Sequence, residues 1–147
     1  MISKSTKYAV RALVYIQLQN WNAKRPGVSE IAKEIEAPEA YTGKILHTLT
    51  KHRLLDSMKG RGGGFFFFDH QPELSLYEII IVMEGDSSFT KCGFGLKNCS
   101  DSQPCPMHDE YTLLREGFLN IAKSETVGSL AKKILNKMAV LNTTLVT

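Results

Sequence analysis

Residues 29–68 read SEIAKEIEAPEAYTGKILHTLTKHRLLDSMKGRGGGFFFF, and this stretch decides the fold. Ile31, Ala32 and Ile35 make one apolar face of a short helix over 29–36, with Ser29 as its expected N-cap. Ala37-Pro38 interrupts it. The residue before a proline is pushed out of the helical region, and proline suits the first position of a new helix. A second helix is expected from about Pro38 to Lys51, with Ile45, Leu46 and Leu49 facing inward. Leu54–Lys59 and Phe65–Phe68 then flank Gly60-Arg61-Gly62-Gly63-Gly64, which predicts a β-hairpin. A turn that needs positive φ explains the glycines. A phosphate-binding loop does not, because Phe65 stands where the third glycine would be and no Gly-Lys-Ser/Thr follows. Two short helices with a tight break, then a hairpin, make a winged helix-turn-helix.

Working outward, Ala9, Ala12, Leu13 and Ile16 recur at helical spacing and predict a helix over 6–19, capped by Ser5 or Thr6. Pro26-Gly27 breaks the loop that follows. Downstream, 69–74 is linker, and Ser75-Leu76-Tyr77-Glu78 fits a capping box before the apolar run 79–83. Residues 86–106 form a long loop, a length that usually signals function or disorder. A helix over 108–123 carries Tyr111, Leu114, Phe118, Ile121 and Ala122 on one stripe. Leu113 and Leu119 widen it, which suggests two buried faces. A last helix starts at Ser124 or Thr126, with Val127, Leu130, Ala131, Ile134, Leu135 and Met138 in register. The fold class is mainly α with a small β-hairpin wing. Residues 1–70 are expected to form the DNA-binding part, and 71–147 a sensing loop and dimerisation helices.

With 147 residues, 43% hydrophobic and 22% charged, the chain suits one compact domain and excludes disorder and a disulfide-dense mini-protein. No apolar run approaches ~18 residues and no signal-peptide core is visible, so a soluble cytoplasmic protein is expected. The net charge of +3 is unevenly divided: residues 1–70 hold eleven Lys/Arg against six Asp/Glu, and 71–147 hold seven against nine. That asymmetry suggests an N-terminal half that faces a polyanion, although a solvated surface with chance imbalance reads the same way.

On the helix 38–51, Lys44, His47 and Lys51 share an outward face, with Tyr41 one turn earlier on the same side. A recognition helix puts such a face into the major groove, where lysines mainly meet phosphates. Lys59 and Arg61 bracket Gly60 at a wing tip narrow enough to approach a duplex. In the phenylalanine run, alternation separates Phe65 and Phe67 from Phe66 and Phe68, and one pair should pack on the helices.

All three cysteines lie in the loop, spaced Cys92-x6-Cys99-x5-Cys105, with His108 just beyond. Three thiolates and an imidazole can hold zinc or an iron–sulfur cluster. The wide gaps suit a loop wrapped around a cluster better than a zinc ribbon. A thiol redox switch stays open. An enzyme using Cys105 and His108 does not fit, since no nucleophile motif surrounds them.

Lys7-Tyr8-Ala9-Val10, the wing Lys59-Gly60-Arg61-Gly62-Gly63-Gly64-Phe65, the loop end Cys105-Pro106-Met107-His108 and Val127-Gly128-Ser129-Leu130 together resemble the IscR-like winged-helix regulators. That family includes iron–sulfur biogenesis, nitric-oxide-responsive and cysteine-metabolism repressors. The resemblance implies a homodimer joined by the helix 108–123 that reads a near-palindromic operator. It also implies a cluster, two-iron in preference to four-iron, on Cys92, Cys99, Cys105 and His108, sensing redox, nitric oxide or iron–sulfur status. Neither a small-molecule substrate nor a membrane is implied. There are departures. The first cysteine gap is about one residue longer than the usual pattern. Lys7 stands where the nitric-oxide branch has an acidic ligand. Gly43 stands where IscR has a base-discriminating glutamate.

Overall fold

The computed structural model describes residues 2–142. It contains α1 (Lys4–Trp21), α2 (Val28–Ile35), α3 (Glu39–Lys51), β1 (Asp56–Met58), β2 (Gly64–Phe66), α4 (Leu76–Glu84), α5 (Ser87–Thr90), α6 (His108–Ser124) and α7 (Val127–Leu135). The strands pair antiparallel, with Asp56 opposite Phe66, Ser57 opposite Phe65 and Met58 opposite Gly64. Among the described residues, no helix is long and apolar enough to cross a membrane. The mainly helical fold with a hairpin wing is as expected.

Several local expectations shift by a few residues. Ser3 caps α1, its side chain accepting from Thr6 N, and Thr6 is buried inside the first turn. Gly27 precedes α2, while the Ser29 hydroxyl donates to Glu39 Oε1 at 2.7 Å and so ties α2 to α3. Pro38 sits just outside α3 as its N-cap. The capping box at Ser75 and Glu78 forms as expected, and Thr126 and Ser129 form a second one on α7. The last helix ends at Leu135, and Met138 lies beyond it, exposed. The expected loop 86–106 opens with the single turn α5.

One core joins both halves of the chain. Leu13, Ile16, Ile31, Ile35, Leu46 and Leu49 share it with Leu74, Ile79, Val127 and Ala131. The boundary expected at residue 70 is thus not a break in the core, and residues 143–147 lie outside the described region. Helix α6 differs from expectation more sharply. Only Ala122 on it is buried, while Leu113 is 71%, Leu114 52% and Ile121 55% exposed, so residues of both expected faces are left uncovered among the described residues.

The wing is held at its base by the segment before α2. Phe65 N donates to Pro26 O at 2.9 Å. Asn20 Oδ1 accepts from Phe67 N at 2.9 Å, and Asn20 Nδ2 donates to Lys24 O at 2.9 Å. Gly64 has φ 137°, and a Cβ there would overlap the Arg25 carbonyl, so only glycine permits this approach. Phe65 and Phe67 pack on the core, as alternation predicts.

Candidate cysteine site and nucleic-acid interface

The cysteine loop folds so that Cys92, Cys99 and Cys105 place their Sγ atoms within 4.8 Å of one another. Cys92 and Cys105 are 3.6 Å apart, and Cys105 N donates to Cys99 Sγ at 3.3 Å. His108, at the start of α6, turns back toward the loop with Nδ1 3.2 Å from Cys99 Sγ. Its Nε2–H donates to Asp101 Oδ1 at 2.9 Å, which leaves Nδ1 facing the thiols. The four residues named from sequence therefore converge. Asp101 was missed, because nothing in its spacing separates it from an ordinary loop aspartate.

The electrostatics divide the three thiols. Burial opposes ionisation of Cys92, but the backbone N–H groups of Leu96 and Phe94, the Cys105 thiol and the Gly95 N–H outweigh it and bring its pKa down to about 6. Burial, with Cys92 and Cys99 beside it, pushes Cys105 up. The hydrogen bond to Asp101, then the one to Cys99, raises His108. Two tetrahedral ligands at the usual Zn–S length of ~2.3 Å stand about 3.8 Å apart, so the Cys92–Cys105 spacing suits two ligands of one metal. The donor set is soft, close and partly ionised, and it fits a bound metal or cluster.

The loop is tied to the rest of the molecule at three points. Gly93 lies against the Tyr111 ring of α6, where a Cβ would overlap the ring. Arg115 Nη1 donates to Lys91 O at 3.1 Å. Phe89 of α5 sits between Tyr77 of α4 and Phe118 of α6, both centroids at 5.3 Å. One further link runs from the loop's root to α1. Glu84, ending α4, accepts from Ser88 Oγ, Ser3 N and the buried Thr6 hydroxyl. On α1, the Tyr8 ring meets Tyr41 of α3 edge to face at 5.7 Å.

The other set of predicted residues lies on the winged half. Lys44, His47 and Lys51 are exposed along α3, and Lys59 and Arg61 are exposed in the turn between β1 and β2. Gly60 and Gly62 have φ 89° and 75°, as the tight turn requires. Tyr41 is half-buried against Tyr8, so it belongs as much to the α1–α3 contact as to the basic face.

A family model described as Rrf2, iron-dependent transcriptional regulator, matches residues 2–133. Protein aau3 of Rhizobium meliloti is 26% identical over 132 residues, covering 89% of this chain and 84% of that protein. The HTH-type transcriptional regulator NsrR of Oceanobacillus iheyensis is 25% identical over 132 residues, covering 89% of each. Two solved structures share the fold. CymR, the global cysteine regulator of B. subtilis, has a TM-score of 0.72 at 20% identity, over 90% of this chain and 96% of its own. IscR of T. potens has a TM-score of 0.71 at 18% identity, over 95% and 92%.

Proposed function

The chain belongs to the Rrf2 family of transcriptional regulators and is not an enzyme, and from that premise we propose that it is a cytoplasmic homodimer that binds an operator and senses redox, nitric-oxide or iron–sulfur status through a cluster on its cysteine loop. The observation that carries this reading is the pairing of donors. Cys92 and Cys105 stand 3.6 Å apart, and Cys99 and His108 Nδ1 stand 3.2 Å apart. All three Sγ atoms also lie within 4.8 Å of one another, a convergence of donors that a bound metal or cluster calls for, and the two-iron form is carried over from the resemblance to IscR-like regulators. When bound, such a group supplies one-electron redox chemistry and sensitivity to oxidants and nitric oxide.

The chain's own residues supply the readout. Cys92, Cys99 and Cys105 hold the loop in one conformation, and Asp101 orients the His108 ring. Gly93 and Arg115 seat that loop on α6, whose uncovered Leu113, Leu114 and Ile121 form the proposed dimer face. Ser88 and Glu84 carry loop order to the start of α1, and Tyr8 and Tyr41 carry it to α3. Lys44, His47, Lys51 and Tyr41 on α3, with Lys59 and Arg61 at the wing tip, face the double-stranded operator. Coupling of this kind amounts to about 1–3 kcal/mol.

The test is an anaerobic absorption spectrum with iron and acid-labile sulfide assays of freshly purified protein. Equal iron and sulfide, about two of each per protomer, support the reading. Stoichiometric zinc without colour overturns the cluster and leaves a winged-helix regulator with a structural zinc. Absence of any metal after reconstitution, with thiols intact, leaves a thiol-based switch.

A further inference from the structure

The outward half of the phenylalanine run has a use that the helix-turn-helix does not require. Phe66 and Phe68 face away from the core and meet edge to face, 6.4 Å between centroids. Over Phe66 lies Arg25, its guanidinium carbon 3.9 Å from the ring centroid. Arg25 Nη1 also reaches Met58 Sδ at 3.8 Å, and Met58 is the last residue before the wing turn. An exposed arginine ordinarily samples many rotamers. This one stands over an aromatic face and against a thioether, which limits its motion while the residue stays exposed to solvent.

The charge of Arg25 is not spent inside the protein. Among the described residues, the ion pairs are Lys133–Glu125 and His108–Asp101, and Arg25 is in neither. Lys24 beside it is exposed too, so the segment before α2 adds two cations at the wing's base, and Arg25 reaches Met58, the residue before Lys59. That segment runs along β2 through the Phe65–Pro26 hydrogen bond and leads into α2. It therefore stands between the wing tip and the helix that crosses the backbone in a helix-turn-helix.

We infer that Arg25, held in place by Phe66, is a further DNA-binding residue that contacts a duplex phosphate beside the wing. The inference rests on the DNA-binding reading above and extends its footprint from the wing tip to the wing's base. Guanidinium presents a fixed fork of donors to a phosphate, and a pre-set fork loses less freedom on binding than a mobile one. Phe66 acts through Arg25 and is a positioning residue.

The experiment measures binding of the full-length protein to a 30-base-pair mixed-sequence duplex and to a single-stranded dT oligomer at 50–200 mM salt. Arg25→Ala should lower the salt exponent by about 0.9 per protomer, so a dimer's affinity changes about twelvefold less across that range. Arg25→Lys should keep the exponent and lose affinity. Phe66→Leu should do the same, with Arg25 present but no longer held. Thermal melts of Arg25→Lys and Phe66→Leu that match wild type show that the effect is not misfolding. Wild-type binding with an unchanged exponent in Arg25→Ala overturns the inference alone. Wild type with no salt-dependent duplex binding overturns the DNA-binding reading and this inference with it. A Phe66→Leu loss confined to the single strand overturns it in favour of base stacking.

Discussion

Glu84→Gln tests the link between the cysteine loop and the winged half. The carboxylate accepts from Ser3 N at 2.9 Å, from the fully buried Thr6 hydroxyl and from Ser88 Oγ at 3.2 Å. The amide keeps the shape and one acceptor oxygen but loses the charge. A hydrogen bond to a charged group contributes ~1.5–3 kcal/mol, a neutral one ~0.5–1.5. Two bonds reduced from the first class to the second, discounted because the carboxylate is partly in solvent, cost about 1–2 kcal/mol. For a chain of this size that lowers the melting temperature by roughly 3–8 °C. The pH dependence gives a second readout. Burial alone would raise the Glu84 pKa, but the Ser3, Thr6 and Ser88 donors outweigh it and hold it below 4.5. A carboxylate with a depressed folded pKa binds fewer protons folded than unfolded, so its stabilisation is full above the ordinary value and fades as pH falls through the folded one. The gap between wild type and Glu84→Gln, measured by thermal melts at fixed protein concentration, should be widest near neutral pH and close in acid. Equal melting temperatures at pH 7, or a gap unchanged down to acid, would refute the reasoning. If the link also carries the signal, Glu84→Gln should bind operator with less response to the state of the cysteine loop.

Other expectations follow from the same geometry. Lys51→Ala should weaken duplex binding broadly and flatten its salt dependence by about one charge per protomer, read by fluorescence anisotropy across a salt series. Gly64→Ala should destabilise by more than ~1 kcal/mol, because φ 137° and the Arg25 carbonyl both exclude a Cβ; a thermal melt within error of wild type would contradict the close approach. Leu114→Glu places a charge on the uncovered face of α6. If that face joins two copies, it should raise the dimer dissociation constant about a hundredfold or more in sedimentation measurements, and an unchanged dimer would move the interface elsewhere.

Much of the fold was legible because local chemistry decides it. Ala37-Pro38 must break two helices, and Ser75 with Glu78 must start one, whatever lies around them. The glycine turn was legible for the same reason, since few residues accept φ of 75–89°. Helix starts were less so. Ser5, Thr6 and Ser29 are all good caps, and the choice of Ser3 and Gly27 instead depends on Glu84 and Glu39, which lie far along the chain. The apolar width of α6 was legible too, but whether a neighbour covers each face was not.

By itself the sequence determined the winged helix-turn-helix, the outward cations of α3 and the wing, and the presence of three cysteines with a histidine in one stretch. These depend on spacing and on backbone chemistry within a few residues. The tertiary structure alone decided which groups meet across long separations. It brought Glu84 onto the first turn of α1 and Arg25 onto Phe66. Side-chain meetings at that distance are set by how elements pack, and packing has no period along the chain from which to read it.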